Sequence, residues 1–106
     1  MQECVVLTTC PNPEVARKLA ERLVSEELAA CVNVIPGISS HYRWKGKIEC
    51  EVEHLLLIKT HQARLEVLEQ VLRGVVPYET PELIVLPLIA GSEDYLSLLR
   101  KEVGIS

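Results

Sequence analysis

The chain has 106 residues, 48% of them hydrophobic and 25% charged. That is the balance of one globular domain spanning 1–106, and it excludes disordered, collagen-like and mucin-like chains. Eleven Lys and Arg against fifteen Asp and Glu leave a formal charge of −4, so the broad basic face that draws a phosphate backbone is absent and nucleic acid is not an expected partner.

The longest uncharged apolar stretch, Leu83 to Gly91, is interrupted by Pro87 and falls short of the ~20 residues a membrane-spanning helix needs. No membrane association is expected. Met1-Gln2-Glu3-Cys4 offers neither a basic leader segment nor a small-residue cleavage site, which makes a cytoplasmic location the expectation. Four cysteines, Cys4, Cys10, Cys31 and Cys50, include no Cys-x-x-Cys pair. In a chain large enough to build its own core they are expected to stay reduced.

Cys4 to Thr9 is a short β-branched run closed by Cys10-Pro11-Asn12-Pro13 and reads as a buried first strand. Asn12 is placed to cap a helix with Pro13 at its first position, and Val15, Leu19 and Leu23 then recur on one face over roughly 13–26. Ala30 to Tyr42 is extended, with a bulge or bend expected at Pro36-Gly37. After Lys45-Gly46, Ile48, Cys50 and Val52 alternate with glutamates and lead into the apolar run Leu55 to Ile58, a third strand half exposed at its start and buried at its end. Lys59 closes that run, where a carboxylate partner would suit it. Leu65, Leu68, Val71 and Leu72 mark a second helix, with Thr60 as its cap and Gly74 as its stop. Leu83 to Leu86 is a fourth buried strand. A last helix is capped by Ser92, carries Glu93 and Asp94 in its first turn, and is expected to bury Tyr95, Leu98 and Leu99.

The order β-α-β-β-α-β plus a C-terminal helix defines an α+β, ferredoxin-like arrangement, an antiparallel four-stranded sheet with helices on one face. Residues 48–60 as a strand reach about 40 Å, while a domain of this size has a radius of gyration near ~13 Å. The second and third strands should therefore overhang their own core. Tyr42, Trp44, Ile48 and Val52 on that overhang suggest cover by a second copy of the chain; the alternative is a bent hairpin folded onto its own subunit.

Several residues carry candidate chemistry. Cys10, just ahead of the first helix, is placed where a positive helix end lowers a thiol pKa and makes a soft-metal ligand; a small half-buried residue without a role is the other reading. A turn centred on Lys45-Gly46 sets His41 opposite Cys50, so that imidazole and thiolate form half of a tetrahedral metal site, the rest coming from another subunit or water. As a plain solvated pair they would have no role. Cys31 and Cys4 read as inert core thiols, and His54 and His61, without partners by spacing, as surface residues. Tyr78-Glu79-Thr80-Pro81-Glu82 is a rigid acidic loop able either to contact a cation at a subunit boundary or to serve as a structural turn and interface. Tyr42 and Trp44 suit an interface anchor. No Ser-His-Asp order or glycine-rich phosphate loop occurs, so no enzyme is expected.

Ala29-Ala30-Cys31-Val32-Asn33-Val34-Ile35-Pro36-Gly37, then Tyr42-Arg43-Trp44-Lys45-Gly46-Lys47, Ile58-Lys59-Thr60, Pro77 to Glu82, and Leu86-Pro87 with Gly91 and Tyr95 resemble the CutA family of divalent-cation tolerance proteins over nearly the whole chain. The resemblance implies a ferredoxin-like homotrimer, similar in architecture to PII signalling proteins, with interface roles suited to Tyr42, Trp44, Tyr78 and Glu79. It also implies tolerance of divalent metals through binding of copper or a similar cation, for which His41, Cys50 and Cys10 are the candidate ligands. Two departures stand out: Val76 occupies the place of the family's usual histidine before Pro-Tyr-Glu, and Leu98 that of its tryptophan in the last helix. Losing the histidine removes that motif's best metal ligand. The alternatives are a PII-like module sensing a small anionic or nucleotide ligand between subunits, and a structural trimer that docks other proteins.

Overall fold

A computed structural model describes residues 2–105. They run β1 (Glu3–Cys10), α1 (Pro13–Ser25), β2 (Cys31–Trp44), β3 (Lys47–His61), a single 3-10 turn (Gln62–Arg64), α2 (Leu65–Val75), β4 (Ile84–Pro87) and α3 (Glu93–Glu102). The four strands form one antiparallel sheet in the order β2-β3-β1-β4. Among the described residues no helix is long and apolar enough to cross a membrane.

The first helix starts as its sequence dictates. Asn12 Oδ1 accepts from the Val15 N–H at 2.9 Å and Pro13 occupies the first turn, where its missing N–H has no intrahelical partner to lose. Ala16, Leu19 and Leu23 then face inward. They meet Leu68, Val71 and Leu72 of α2 and the sheet face formed by Val6, Cys10, Leu56 and Ile58 in one apolar cluster. The opposite sheet face is also apolar but far less covered: Val5, Leu7, Leu55 and Leu57 are half-buried, and Ile35, Ile84 and Leu86 are exposed.

Both ends of α2 depart from expectation. Thr60 is not its cap; it stays in β3 opposite Cys4, and its hydroxyl donates to the Leu28 carbonyl at 2.6 Å. The strand runs one residue further, and His61 caps the 3-10 turn, its Nδ1 accepting from the Ala63 N–H at 3.0 Å, while α2 itself starts after Arg64 with no side-chain cap. Gly74 does not stop the helix either. Val76 is the C-cap, with φ −80 and ψ 119, because a residue preceding proline is pushed out of the helical region by the ring of Pro77.

The cap on α3 is as expected, with Ser92 Oγ accepting from the Tyr95 N–H. The buried face is narrower: Leu99 is buried, but Tyr95 is 41% and Leu98 51% exposed. A single inward row and an ion pair from Arg100 to Glu3 at 3.2 Å hold this helix to the sheet. Among the described residues Lys59 forms no ion pair; it sits between Val5 and Cys31 in the ladder.

β2 and β3 reach beyond the core. β1 pairs with β3 only from His54 onward, so Lys47 to Glu53 have β2 as their sole strand neighbour. The result is an elongated molecule of 46 × 25 × 22 Å, with Ile48 74% and Val52 64% exposed on the ribbon. Lys45 and Gly46 turn the ribbon with φ of 50 and 80, the pattern of a type I′ turn, whose twist matches that of the strands. The ladder steps from Ile35 opposite Leu55 to Ile38 opposite Glu53, leaving one extra residue in β2 at Pro36-Gly37, with Gly37 at φ +68. That is the expected bulge.

Candidate functional site

The bulge and the turn decide which side chains share a face of the ribbon. One face carries His41 opposite Cys50, Ser39 opposite Val52, and Arg43 opposite Ile48. The other carries Tyr42 opposite Glu49, Ser40 opposite Glu51, and Trp44 opposite Lys47. His41 Nε2 and Cys50 Sγ lie 3.7 Å apart at an exposed position. The two donors expected from counting outward from the turn are therefore in contact. Among the described residues no group of three or more His, Cys, Asp or Glu is arranged to hold a metal ion, so this pair by itself remains an open half-site.

The aromatic face closes a cleft of about 780 Å³ against the loop 78–82. Tyr42, Trp44, Glu49, Glu51 and Glu53 line it from the ribbon, and Tyr78, Glu79 and Glu82 from the loop. Five carboxylates thus face one space. The Tyr42 hydroxyl donates to Glu51, and the Tyr78 hydroxyl donates to Glu53 Oε2 at 2.5 Å. Each phenol is held protonated by the carboxylate it serves: the hydrogen bond to Glu51 pushes Tyr42 up to about 12, while burial and then the bond to Glu53 push Tyr78 up further. Burial, with the Glu53 charge adding to it, also raises the Glu82 carboxyl. Lys45 Nζ sits 5.6 Å above the Trp44 ring at the tip, which places one cation against the aromatic end of an otherwise acidic space.

Cys10 departs from its expected chemistry. It is the last residue of β1 and fully buried, so burial, reinforced by the Glu53 charge, pushes its thiol up to about 11. The helix end that would have lowered it begins only after Asn12. Cys4 is buried as expected and likewise raised, by burial and then Glu3. Cys31 is half-buried at the start of β2, with Sγ 3.8 Å from Asn33 Oδ1, and is not a core thiol because β2 is the edge strand there.

Neither of the two histidines expected at the surface is exposed. His61 is buried, and its Nε2 lies 4.0 Å from Glu3 Oε2. His54 is half-buried, stands opposite Cys10 in the ladder, and keeps its Nδ1 buried without a hydrogen-bond partner. No turn joins β1 to β3, so no count along the chain reveals that pairing.

A four-stranded antiparallel sheet with three helices, a projecting ribbon and an acidic cleft at its base defines a small α+β protein organised around its hairpin. The CutA1 divalent ion tolerance protein family matches residues 4–102, and the chain belongs to that family. Thermus thermophilus has a divalent-cation tolerance protein CutA that is 45% identical over 102 residues, covering 96% of this chain and 99% of that protein. The solved structure of the Thermus thermophilus divalent cation tolerance protein superposes with a TM-score of 0.95 over 97% of this chain and all of that one. The chloroplastic protein CutA of Arabidopsis thaliana is 48% identical over 96 residues, 91% of this chain; the chain spans about half, 53%, of the length of that relative.

Proposed function

We propose that the protein serves divalent-cation tolerance as a homotrimer that binds copper or a similar soft cation. The observation that carries this reading is the His41–Cys50 contact at 3.7 Å, an imidazole and a thiol of the kind that select copper over hard cations. A neighbouring copy or water completes the coordination sphere. The trimer is supported by the apolar sheet face left uncovered in the single chain and by the exposed ribbon, and we read the strand order as the ferredoxin-like one. Tyr42, Trp44, Tyr78 and Glu79, gathered at one cleft, suit a contact between copies. Four free thiols fit a reducing compartment such as the cytoplasm. The relatives are named for tolerance of divalent cations, with no reaction in their names.

The alternative of an anionic or nucleotide ligand at the cleft loses support, because five carboxylates would repel it. Calorimetry with copper on the wild type, His41→Ala and Cys50→Ser tests the metal reading. Either substitution should remove most of the binding at the ribbon, and wild-type binding should weaken with acid, since both donors coordinate only when deprotonated. Unchanged copper affinity at the ribbon in both variants would overturn it.

A further inference from the structure

The face of the ribbon turned away from the acidic cleft has a chemistry of its own. Among the free thiols, Cys4 and Cys10 are fully buried, Cys31 is half-buried, and Cys50 stands in the open. Its Sγ lies 3.7 Å from His41 Nε2, and with the imidazole proton on Nδ1 that nitrogen is an acceptor for the thiol. Arg43 is two residues along β2 from His41 and shares its face. Glu49, Glu51 and Glu53 alternate onto the opposite face, so the ribbon sets a cation and no carboxylate on the side of the sulfur. An exposed thiol beside an imidazole, with a guanidinium on the same face, is in the setting where cysteine reacts as a nucleophile rather than packing as an inert hydrophobe.

We propose that Cys50 and His41 form a thiol–imidazole nucleophile that exchanges with low-molecular-weight disulfides, preferring those that carry carboxylates, and that the chain thereby holds Cys50 as a mixed disulfide. In the exchange the thiol proton passes to His41 Nε2 as Cys50 Sγ attacks one sulfur of the incoming disulfide. The new S–S bond forms as the old one breaks, and the departing thiolate takes the proton back from the imidazolium. The Cys50 sulfur is oxidised as the departing sulfur is reduced, with no further reactant. Arg43 selects among disulfides, because a guanidinium on this face attracts an incoming carboxylate and repels an ammonium. The inference goes beyond the copper reading and needs no metal.

Metal-free protein in its native assembly, treated with oxidised glutathione as the carboxylate-bearing probe and cystamine as the amine-bearing one, tests the pair, with mass spectrometry locating the modified cysteine. One adduct per chain should form, at Cys50, and Cys50→Ser should remove it. His41→Ala leaves the thiol exposed but should slow its exchange about threefold with either probe. An ordinary thiol is only a few per cent thiolate at neutral pH, and part of what fuller ionisation gains is returned by the lower nucleophilicity of a more stable thiolate. Arg43→Ala should lower the ratio of the glutathione rate to the cystamine rate by about threefold. His41 and Arg43 are both exposed, so thermal melting should be the same in all three chains and the rates compare chemistry alone. An adduct at Cys31 instead, a Cys50 that stays unmodified in the assembly, or equal rates for wild type and His41→Ala overturns the nucleophile. An unchanged ratio in Arg43→Ala overturns the preference for carboxylates. Copper calorimetry on His41→Ala and Cys50→Ser stands or falls separately, since no metal enters the exchange.

Discussion

Thr60 shows how a single side chain answers to the backbone around it. Its hydroxyl reaches the Leu28 carbonyl at 2.6 Å inside the protein and ties β3 to the segment entering β2. Thr60→Val keeps the shape but leaves that carbonyl unpaired, so chemical denaturation should report a loss of about 1–3 kcal/mol, and Thr60→Ser should restore most of it. Glu82 works in the opposite sense. Burial and Glu53 raise its carboxyl in the folded chain, so the folded state binds this proton more tightly than the unfolded one. Stability is therefore lost as pH rises through that window and is recovered below the ordinary glutamate value of about 4.3. Glu82→Gln should accordingly raise the melting temperature at pH 7 and leave it unchanged below pH 4. A hydroxyl ahead of an amphipathic run suits a helix cap, which is what the sequence alone suggests for Thr60. Thr60 does not cap because β1 holds β3 extended for one more residue, through the pairing of Glu3 with His61, a contact between segments far apart in the chain.

Elements were legible where local chemistry alone sets them. Asn12-Pro13 and Ser92 cap their helices as capping rules require, and Lys45-Gly46 makes the turn from which His41 and Cys50 can be paired by counting. What stayed hidden depends on contacts between distant segments. The pairing of Cys10 with His54 arises because α1, β2 and half of β3 intervene between two adjacent strands. The shallow burial of α3 depends on how much sheet remains for it to cover. The turn itself gives a direct test. Gly46 holds φ +80 in open space, so Gly46→Ala meets no clash and reports backbone strain alone, on the order of 1–2 kcal/mol. Thermal melts should show that loss. An equal loss in a variant carrying Asn at position 46, a residue that tolerates the left-handed region, would argue against strain as the cause.

At the scale of the whole molecule, the uncovered sheet face and the 46 Å long axis set the expectation for assembly. Light scattering should return three chain masses at low micromolar concentration, and a single chain mass would sink the homotrimer. Trp44→Ala, at the tip of the ribbon, should loosen the assembly by on the order of 3 kcal/mol if a neighbour encloses the ring, read as a fall in trimer melting. The bulge at Pro36-Gly37 bears on that assembly through leverage. From Ile38 to the turn the ribbon is an arm of about 23 Å, so a change in direction of roughly 20° at its root would carry the tip about 8 Å. Deleting Gly37 would remove the surplus residue, let residues 35 and 38 fall into an unbroken ladder, and leave every pair from Ile38 opposite Glu53 to Trp44 opposite Lys47 as it is. The His41–Cys50 contact would survive while the arm pointed elsewhere. Where the tip points is thus governed by the number of residues between two fixed registers, so an insertion or deletion there would re-aim the arm without altering a single side chain on it.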